Sequence, residues 1–467
     1  MRFKNFDQWL SWLESLNIVR NAYEAKLQVK EVAERLNLLS FPTAVITVAG
    51  TNGKGSCVAL LESIYTAADY KVGAFTSPHL LHFNERIRIQ RQPVETKKIQ
   101  EAFEKIDQAR GDVPLNYFQF SFLASLLIFK EANLDLAILE VGIGGQYDAT
   151  NIIDSDLTII SSINLDHCEI LGDTIDLIAA DKAGVMRKSK PAICGISNPP
   201  KTFYAKAKEI GAQLYYVDKD FTYETTGMTW SWQSRNKALD NLPLPNSILL
   251  VNAPVVLMAI ECLLEKFPVT DVNIKDGLRG ILIVGRQQLV DINGVKILLD
   301  VAHNPEAAKC LAQKLQSLQI SGHKYAVFGV LKDKDIAGIL KNFTKNIDSW
   351  FKNKTILIDE LVKKYGPIKA KAFPGRAAIL IKMLNLDKSH ISGVYEKPGS
   401  LKIGNYLPGT RIPIYSDESL ISIDDKELPI INLAWHISKE IHDYLVSIGY
   451  KGLIIDILSE NDFMVSD

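Results

Sequence analysis

The sequence predicts an α/β protein built on a mostly parallel sheet, and three observations carry that prediction. Short β-branched runs alternate with longer helical patterns along most of the 467 residues. The run Val45-Ile46-Thr47-Val48 breaks into Gly50-Thr51-Asn52-Gly53-Lys54-Gly55-Ser56, after which Leu60, Leu61 and Ile64 mark a helix. Beyond Gly285-Arg286 the same alternation starts again, which predicts a second, smaller α/β unit.

In order along the chain, the patterns predict strands at Lys71–Phe75, Leu136–Glu140, Leu157–Ser161 and Pro191–Cys194, with helices at Ile99–Ala109, Phe118–Ala132 and Ile175–Val185. Gln213–Leu250 alternates aromatics with polar turns and reads as a small antiparallel patch, followed by a helix over Asn252–Glu265. The second unit reads as strands Gln288–Ile292 and Val295–Asp300, helix Pro305–Gln319, strand Tyr325–Val330 and helix Ile336–Thr344. The expected domains are 1–285, 286–352 and an atypical α/β tail, 353–467, with strands at Ile391–Glu396, Arg411–Tyr415, Pro429–Leu433 and Gly452–Ile455.

Composition narrows the function classes. A net charge of −1 gives no global field toward nucleic acid or anionic lipid. Cys57, Cys168, Cys194, Cys262 and Cys310 are scattered without a CxxC pair, as expected of reduced thiols in a cytoplasmic protein. The N-terminal segment is amphipathic, carries acids and lacks a small-residue cleavage site, and the most apolar window, Leu115–Phe129, is too short for a bilayer. The expectation is a soluble monomer acting on small molecules, with no nucleic-acid or membrane partner.

A strand, a glycine loop and a helix start make a phosphate cradle: backbone N–H groups converge, the helix dipole favours an anion, and Lys54 adds a cation. The spacing differs from the common P-loop, since Val48 stands at the first glycine's place and Gly55 separates Lys54 from Ser56. Thr76-Ser77-Pro78-His79 ends the second strand and offers Ser77 as a hard ligand for Mg²⁺. Leu81-His82-Phe83-Asn84-Glu85-Arg86-Ile87 suits a flat heterocycle with an anionic tail. Leu139-Glu140-Val141-Gly142-Ile143-Gly144-Gly145-Gln146-Tyr147-Asp148 is a further glycine loop at a strand end, and Asp166-His167 follows another strand. Asp181-Lys182 puts a lysine on a helix, where an amine partly buried near a metal could react with CO₂ to give a carbamate. Arg286, Asp300 and His303 open the second unit, with an arginine for phosphate and an Asp/His pair for ribose.

Residues 1–350 resemble bacterial folylpolyglutamate synthase/dihydrofolate synthase, a branch of the Mur ligase superfamily. The stretches that carry the likeness are VAGTNGKGS, TSPHLLHFNERIRI, LEVGIGGQYDATNI, INLDHCEILGDT, DKAGVMR, GRQQLV, LDVAHNPEAA and VFGVLKDKDI. The resemblance implies a Mur-ligase-type ATPase domain, a smaller Rossmann-like C-terminal domain, Mg²⁺-ATP, a pterin or folate carboxylate as acceptor and L-glutamate as the amine. It implies that the carboxylate becomes an acyl phosphate before the amine attacks. It assigns Gly50 to Ser56 with Asn252, Arg286, Asp300 and His303 to the nucleotide, and Ser56, Ser77, Gln119 and His167 to the metal. Lys54, His167 and Lys182, the last as a carbamate, become catalytic, while Phe83, Arg86 and Asp148 serve the acceptor.

Gln119 stands where the resemblance leads one to expect a metal-binding Glu, Gln146 where it expects Arg, and Val284-Gly285-Arg286-Gln287-Gln288 where it expects Pro-Gly-Arg-Phe-Gln. These departures keep open a non-catalytic nucleotide- or folate-binding homologue, beside another Mur-type amino-acid ligase. Residues 373–467 resemble the C-terminal domain of sugar C-methyltransferases through PGRAAILIKMLNL, ISGVYEKPGSLKIGNYLPGTRIPI and INLAWHISKEIHDYL. No methyl-donor domain precedes them, so methyl transfer is not expected. The expectation is a ligase whose C-terminal domain is cut short and joined to a foreign module, with a risk of an unpaired sheet edge.

Overall fold

The computed structural model describes residues 2–3, 5–16, 21–226, 229–244, 250–281, 283–292, 294–318, 326–330, 335–341, 345–375, 377–421 and 426–459. Two compact units divide the chain, Met1–Ala302 and His303–Asp467.

In the first unit the strands are β1 (Ala44–Ala49), β2 (Val72–Phe75), β3 (Ile87–Ile89), β4 (Gln92–Pro93), β5 (Leu136–Glu140), β6 (Leu157–Ile160), β7 (Pro191–Cys194) and β8 (Gln213–Tyr216). They form one sheet in the order β4-β3-β2-β5-β1-β6-β7-β8. The six strands from β2 to β8 in that order are parallel, and β3 and β4 add an antiparallel edge. Central β1 is buried at all six positions, which is why it reads as a β-branched, mostly apolar run and not as an alternation. The helices are α1 (Phe6–Ser15), α2 (Ala22–Arg35), α3 (Lys54–Ala67), α4 (Thr96–Arg110), α5 (Tyr117–Ala132), α6 (Cys168–Leu171), α7 (Ile175–Ala183), α8 (Lys201–Ile210), α9 (Asn252–Cys262) and α10 (Asp271–Arg279).

Both faces of the sheet are covered. On one, Ile46 and Val48 pack with Val58, Leu61 and Ile64 of α3 and with Val256 and Ile260 of α9. On the other, Val45, Ala137 and Leu139 meet Leu123, Leu126 and Ile128 of α5 and residues of α2 and α4. The antiparallel patch expected at 213–250 divides in two. β8 joins the main sheet parallel to β7, because α8 provides the crossover a parallel pair needs. β9 (Phe221–Thr226), β10 (Thr229–Ser234) and β11 (Ala238–Pro243) form a separate antiparallel sheet whose Trp230 and Trp232 are buried against the α9 side; residues 227–228 and 245–249 lie outside the described ones. The pair β12 (Gln288–Ile292) and β13 (Val295–Leu299) ends this unit as an antiparallel hairpin.

The second unit holds α11 (Pro305–Ser317), α12 (Ile336–Lys341), α13 (Lys345–Tyr365), β14 (Ile368–Lys371), α14 (Ala377–Met383), β15 (Ile391–Glu396), β16 (Ile414–Ser416), α15 (Asp417–Ile421), β17 (Ile430–Asn432), α16 (Ser438–Ser447) and β18 (Ile454–Asp456). Its sheet has the order β16-β15-β14-β17-β18 with every pair parallel. The four expected tail strands are present with shifted ends; β14 is the addition. All five strands come from 368–456, so this sheet is assembled without residues 286–352. Helix α13 runs across the junction expected at 352/353, and its Trp350 and Ile358 share one core with Ile368, Val394 and Ile431.

The strand expected at Tyr325–Val330 is corrected. Tyr325 lies outside the described residues, and Ala326–Val330 form no strand, with Val327 fully exposed and Phe328 45% exposed. A β-branched run becomes a strand only beside a partner, and none of the described strands pairs with it. Gln319 and residues 342–344, at the ends of two expected helices, and parts of the VFGVLKDKDI and PGRAAILIKMLNL stretches also lie outside the described residues.

Candidate active site

The carboxyl edge of the first unit's sheet gathers the glycine loop after β1 with the loops after β2, β5 and β6. Gly53 adopts φ 86° at the start of α3, and a Cβ there would lie 2.3 Å from Asn252 Oδ1. Only glycine takes that turn with Asn252 so close. The loop is latched to the end of β6. Thr51 N donates to Ser162 O (2.9 Å), Asn52 N to Ser162 Oγ (2.9 Å), and Ser161 Oγ to Asn52 O (2.6 Å). Asn164 N donates to Thr51 Oγ1 at 3.0 Å. The cradle is thus held in shape by backbone and hydroxyl contacts, independent of any ligand.

Two ammonium groups converge on it. Lys54 Nζ donates to Gly50 O (2.9 Å) and Thr51 O (3.0 Å), and Lys182 Nζ donates to Gly50 O (3.1 Å). Burial pulls the Lys54 pKa down, against the pull of Glu140 and Asp166. Burial, reinforced by Lys54, brings Lys182 down to about 7. Opposite them, Glu140 at the end of β5 is 4% exposed and accepts from Ser77 N at 3.0 Å. A Cβ on Gly55 would stand 3.7 Å from both its carboxylate oxygens, so the carboxylate faces the cradle. Burial raises the Glu140 pKa and Lys54 opposes that rise.

Glu140 is the functional candidate missed in the motif reading. Its signal was an acid closing an apolar strand, hidden by the glycines after it. Gln119, expected at the metal, makes three hydrogen bonds at the start of α5. Its Oε1 accepts from Asn116 N (2.8 Å), its Nε2 donates to Ala25 O (2.7 Å), and with Asn116 it makes a reciprocal cap at the start of α5. His167 follows β6 in a left-handed conformation (φ 51°), its backbone N–H donating to Asp166 Oδ1. Among the described residues no three His, Cys, Asp or Glu side chains cluster as a metal site. Serine hydroxyls with a single carboxylate and an imidazole nonetheless suit Mg²⁺, which keeps waters and shares phosphate oxygens.

The remaining candidates divide between scaffold and site. Asp148 accepts from Gly142 N, Ile143 N, Thr150 N and Thr150 Oγ1, which shapes the glycine loop. Phe83 and Arg86, expected to serve the acceptor, lie buried in one aromatic cluster. Phe83 is 3% exposed against Phe6, Phe103 and Tyr117, and Arg86 lies over the Phe83 and Tyr117 rings while its Nε donates to His79 Nδ1 at 2.8 Å. Asn252 begins α9 beside Gly53. Asp300 accepts from Gln287 N and Ala302 N, and the charge of Arg286 is felt at both Lys54 and Glu140. His303 opens the second unit.

A latched phosphate cradle with converging lysines and a facing carboxylate, at the carboxyl edge of a parallel α/β sheet, marks the class of nucleotide-dependent ligases. In agreement, residues 285–379 match the family described as Mur ligase, glutamate ligase domain. The chain is 41% identical over 361 residues to the dihydrofolate synthase/folylpolyglutamate synthase of Haemophilus influenzae, covering 73% of this chain and 81% of that protein. It therefore belongs to the dihydrofolate synthase/folylpolyglutamate synthase family. Among solved structures it is similar to Escherichia coli FolC in complex with DHPP and ADP (TM-score 0.69, 41% identity, 72% of this chain and 80% of that one). It is also similar to the Yersinia pestis bifunctional enzyme complexed with AMPPNP and Mn ion (TM-score 0.67, 33% identity, 96% of this chain and 94% of that one).

Proposed function

We propose that this chain is an ATP-dependent ligase that adds L-glutamate to dihydropteroate, to folylpolyglutamate, or to both, through an acyl phosphate. The observation that carries the reading is the convergence of Lys54, Lys182 and Glu140 on the cradle of Gly50 to Ser56.

ATP lays its phosphates against the amides that open α3, and Lys54 exchanges the carbonyls of Gly50 and Thr51 for phosphate oxygens. Ser56, Ser77, Glu140 and His167 would hold Mg²⁺, which would supply charge neutralisation at the phosphates. Glu140 brings the carboxylate that Gln119 lacks, so the neutral cap of α5 does not count against catalysis. A carboxylate oxygen of the acceptor attacks the γ-phosphorus and ADP leaves. The amine of glutamate then attacks the acyl carbon, losing a proton, and phosphate leaves. Lys182, an amine with a pKa of about 7, reacts in its neutral form with CO₂, giving a carbamate and releasing a proton. Asn252, Arg286, Asp300 and His303 are assigned to the nucleotide. Phe83, Arg86 and the loop that Asp148 shapes are assigned to the pteroyl end.

The protein acts as a cytoplasmic monomer on small molecules and not on nucleic acid, as a net charge of −1 fits; among the described residues no helix is long and apolar enough to cross a membrane. ADP release from Mg²⁺-ATP and glutamate is expected to rise manyfold on adding dihydropteroate or a folate. Release that ignores every pteroyl acceptor contradicts the proposal.

A further inference from the structure

Gln119 and Gln146 lie on separate elements, yet both meet one turn of α2. Gln119 Nε2 donates to Ala25 O at 2.7 Å, and Lys26 Nζ donates to Gln146 O at 2.8 Å. From Gln146 the connection continues to α7 and the cradle. Gln146 N donates to Asp181 O at 2.9 Å. Gly145 packs so closely that a Cβ would lie 2.9 Å from Asp181 O and 3.0 Å from Lys182 Cα. Lys182 Nζ then reaches Gly50 O. Each link is a hydrogen bond or a backbone contact without slack, which is the kind of chain that transmits position.

Lys26 is a costly residue for this place. Burial and the nearby Arg187 pull its pKa down, against Asp148 and Asp154. Among the described residues no carboxylate stands within ion-pair distance of its ammonium, which rests on a carbonyl. That same carbonyl already accepts from Asn151 Nδ2 at 3.0 Å. Holding the loop for the sake of the fold does not require a half-buried cation as well.

We propose that Lys26 is a positioning residue for the ligation, its ammonium pressing the Gly142–Asp148 loop onto α7 and so fixing Lys182 above Gly50. The inference rests on the reading of this chain as a ligase. In Lys26→Met, kcat with saturating dihydropteroate and glutamate is expected to fall about tenfold or more. The KM for ATP and the melting temperature stay at the wild-type values, and Lys26→Arg, which also donates to a carbonyl, recovers most of the rate. Amide exchange at residues 143–148 reads the fastening without turnover. It is expected to quicken in Lys26→Met and not in Lys26→Arg. Wild-type kcat or unchanged exchange in Lys26→Met overturns the inference, as does a rate loss that only follows lost folded protein without recovery in Lys26→Arg. An active wild type with an indifferent Lys26 sinks this inference alone; exchange that responds in a protein without ligation sinks the ligase reading instead.

Discussion

Lys182 at Gly50 and Glu140 beside Gly55 bring opposite charges to the two ends of the cradle, and burial moves both toward neutrality. For Lys182 the sign of the pH effect is fixed. Its pKa falls from 10.5 to about 7, so between those values the unfolded chain binds the extra proton. Its contribution to stability therefore improves as pH rises through about 7 and is poorest below it. The carbamate requires the neutral amine, so ligation measured in bicarbonate is expected to climb through about pH 7. Lys182→Gln is expected to lose both the climb and most of the rate. At Glu140, removing the charge in Glu140→Gln is expected to cost roughly hundredfold in kcat, with a larger Mg²⁺ requirement; a variant with wild-type Mg²⁺ dependence would remove Glu140 from the metal. Lys54, Ser77 and Lys182 were legible as candidates because glycines, a strand end or a helix surround them with recognisable spacing. Glu140 was not legible as a site residue, since an acid at the end of an apolar strand carries no spacing of its own.

At the scale of elements, α5 is held at its start by the same Gln119 that was expected at the metal. Asn116 and Gln119 cap each other, and Gln119 also fastens α2 through Ala25. Asn116→Ala is expected to lower stability by about 1 kcal/mol in denaturant unfolding. Gln119→Glu replaces the donor facing Ala25 O with a carboxylate at a site 3% exposed, at an expected cost of about 1–3 kcal/mol. Mg²⁺ activation is expected to stay unchanged in Gln119→Glu. A severalfold tighter Mg²⁺ requirement would return residue 119 to the metal site. The central strands β1 and β5 were read correctly because burial on both faces gives a mostly apolar run without alternation. The run Ala326–Val330 looks similar in sequence and is not a strand, since pairing depends on partners that a local pattern does not contain.

For the whole molecule, the two compact units each bury their own apolar cluster. Ile46 and Leu139 belong to the first unit, and Ile368 and Ile431 to the second. Calorimetry is expected to resolve two transitions. Leu139→Ala, at an expected cost of about 2–5 kcal/mol, moves one of them and Ile431→Ala the other. A single transition shifted by both variants would refute separate cooperative units. The alternation of strands and helices made the α/β class legible across both units. The all-parallel order of the second sheet was not, because strand order follows from packing between distant segments.

The acyl phosphate is tested most directly by isotope transfer. Dihydropteroate labelled with ¹⁸O in its carboxylate, turned over with Mg²⁺-ATP and glutamate, is expected to pass one labelled oxygen to each phosphate released. Unlabelled phosphate accompanying labelled product would contradict the account.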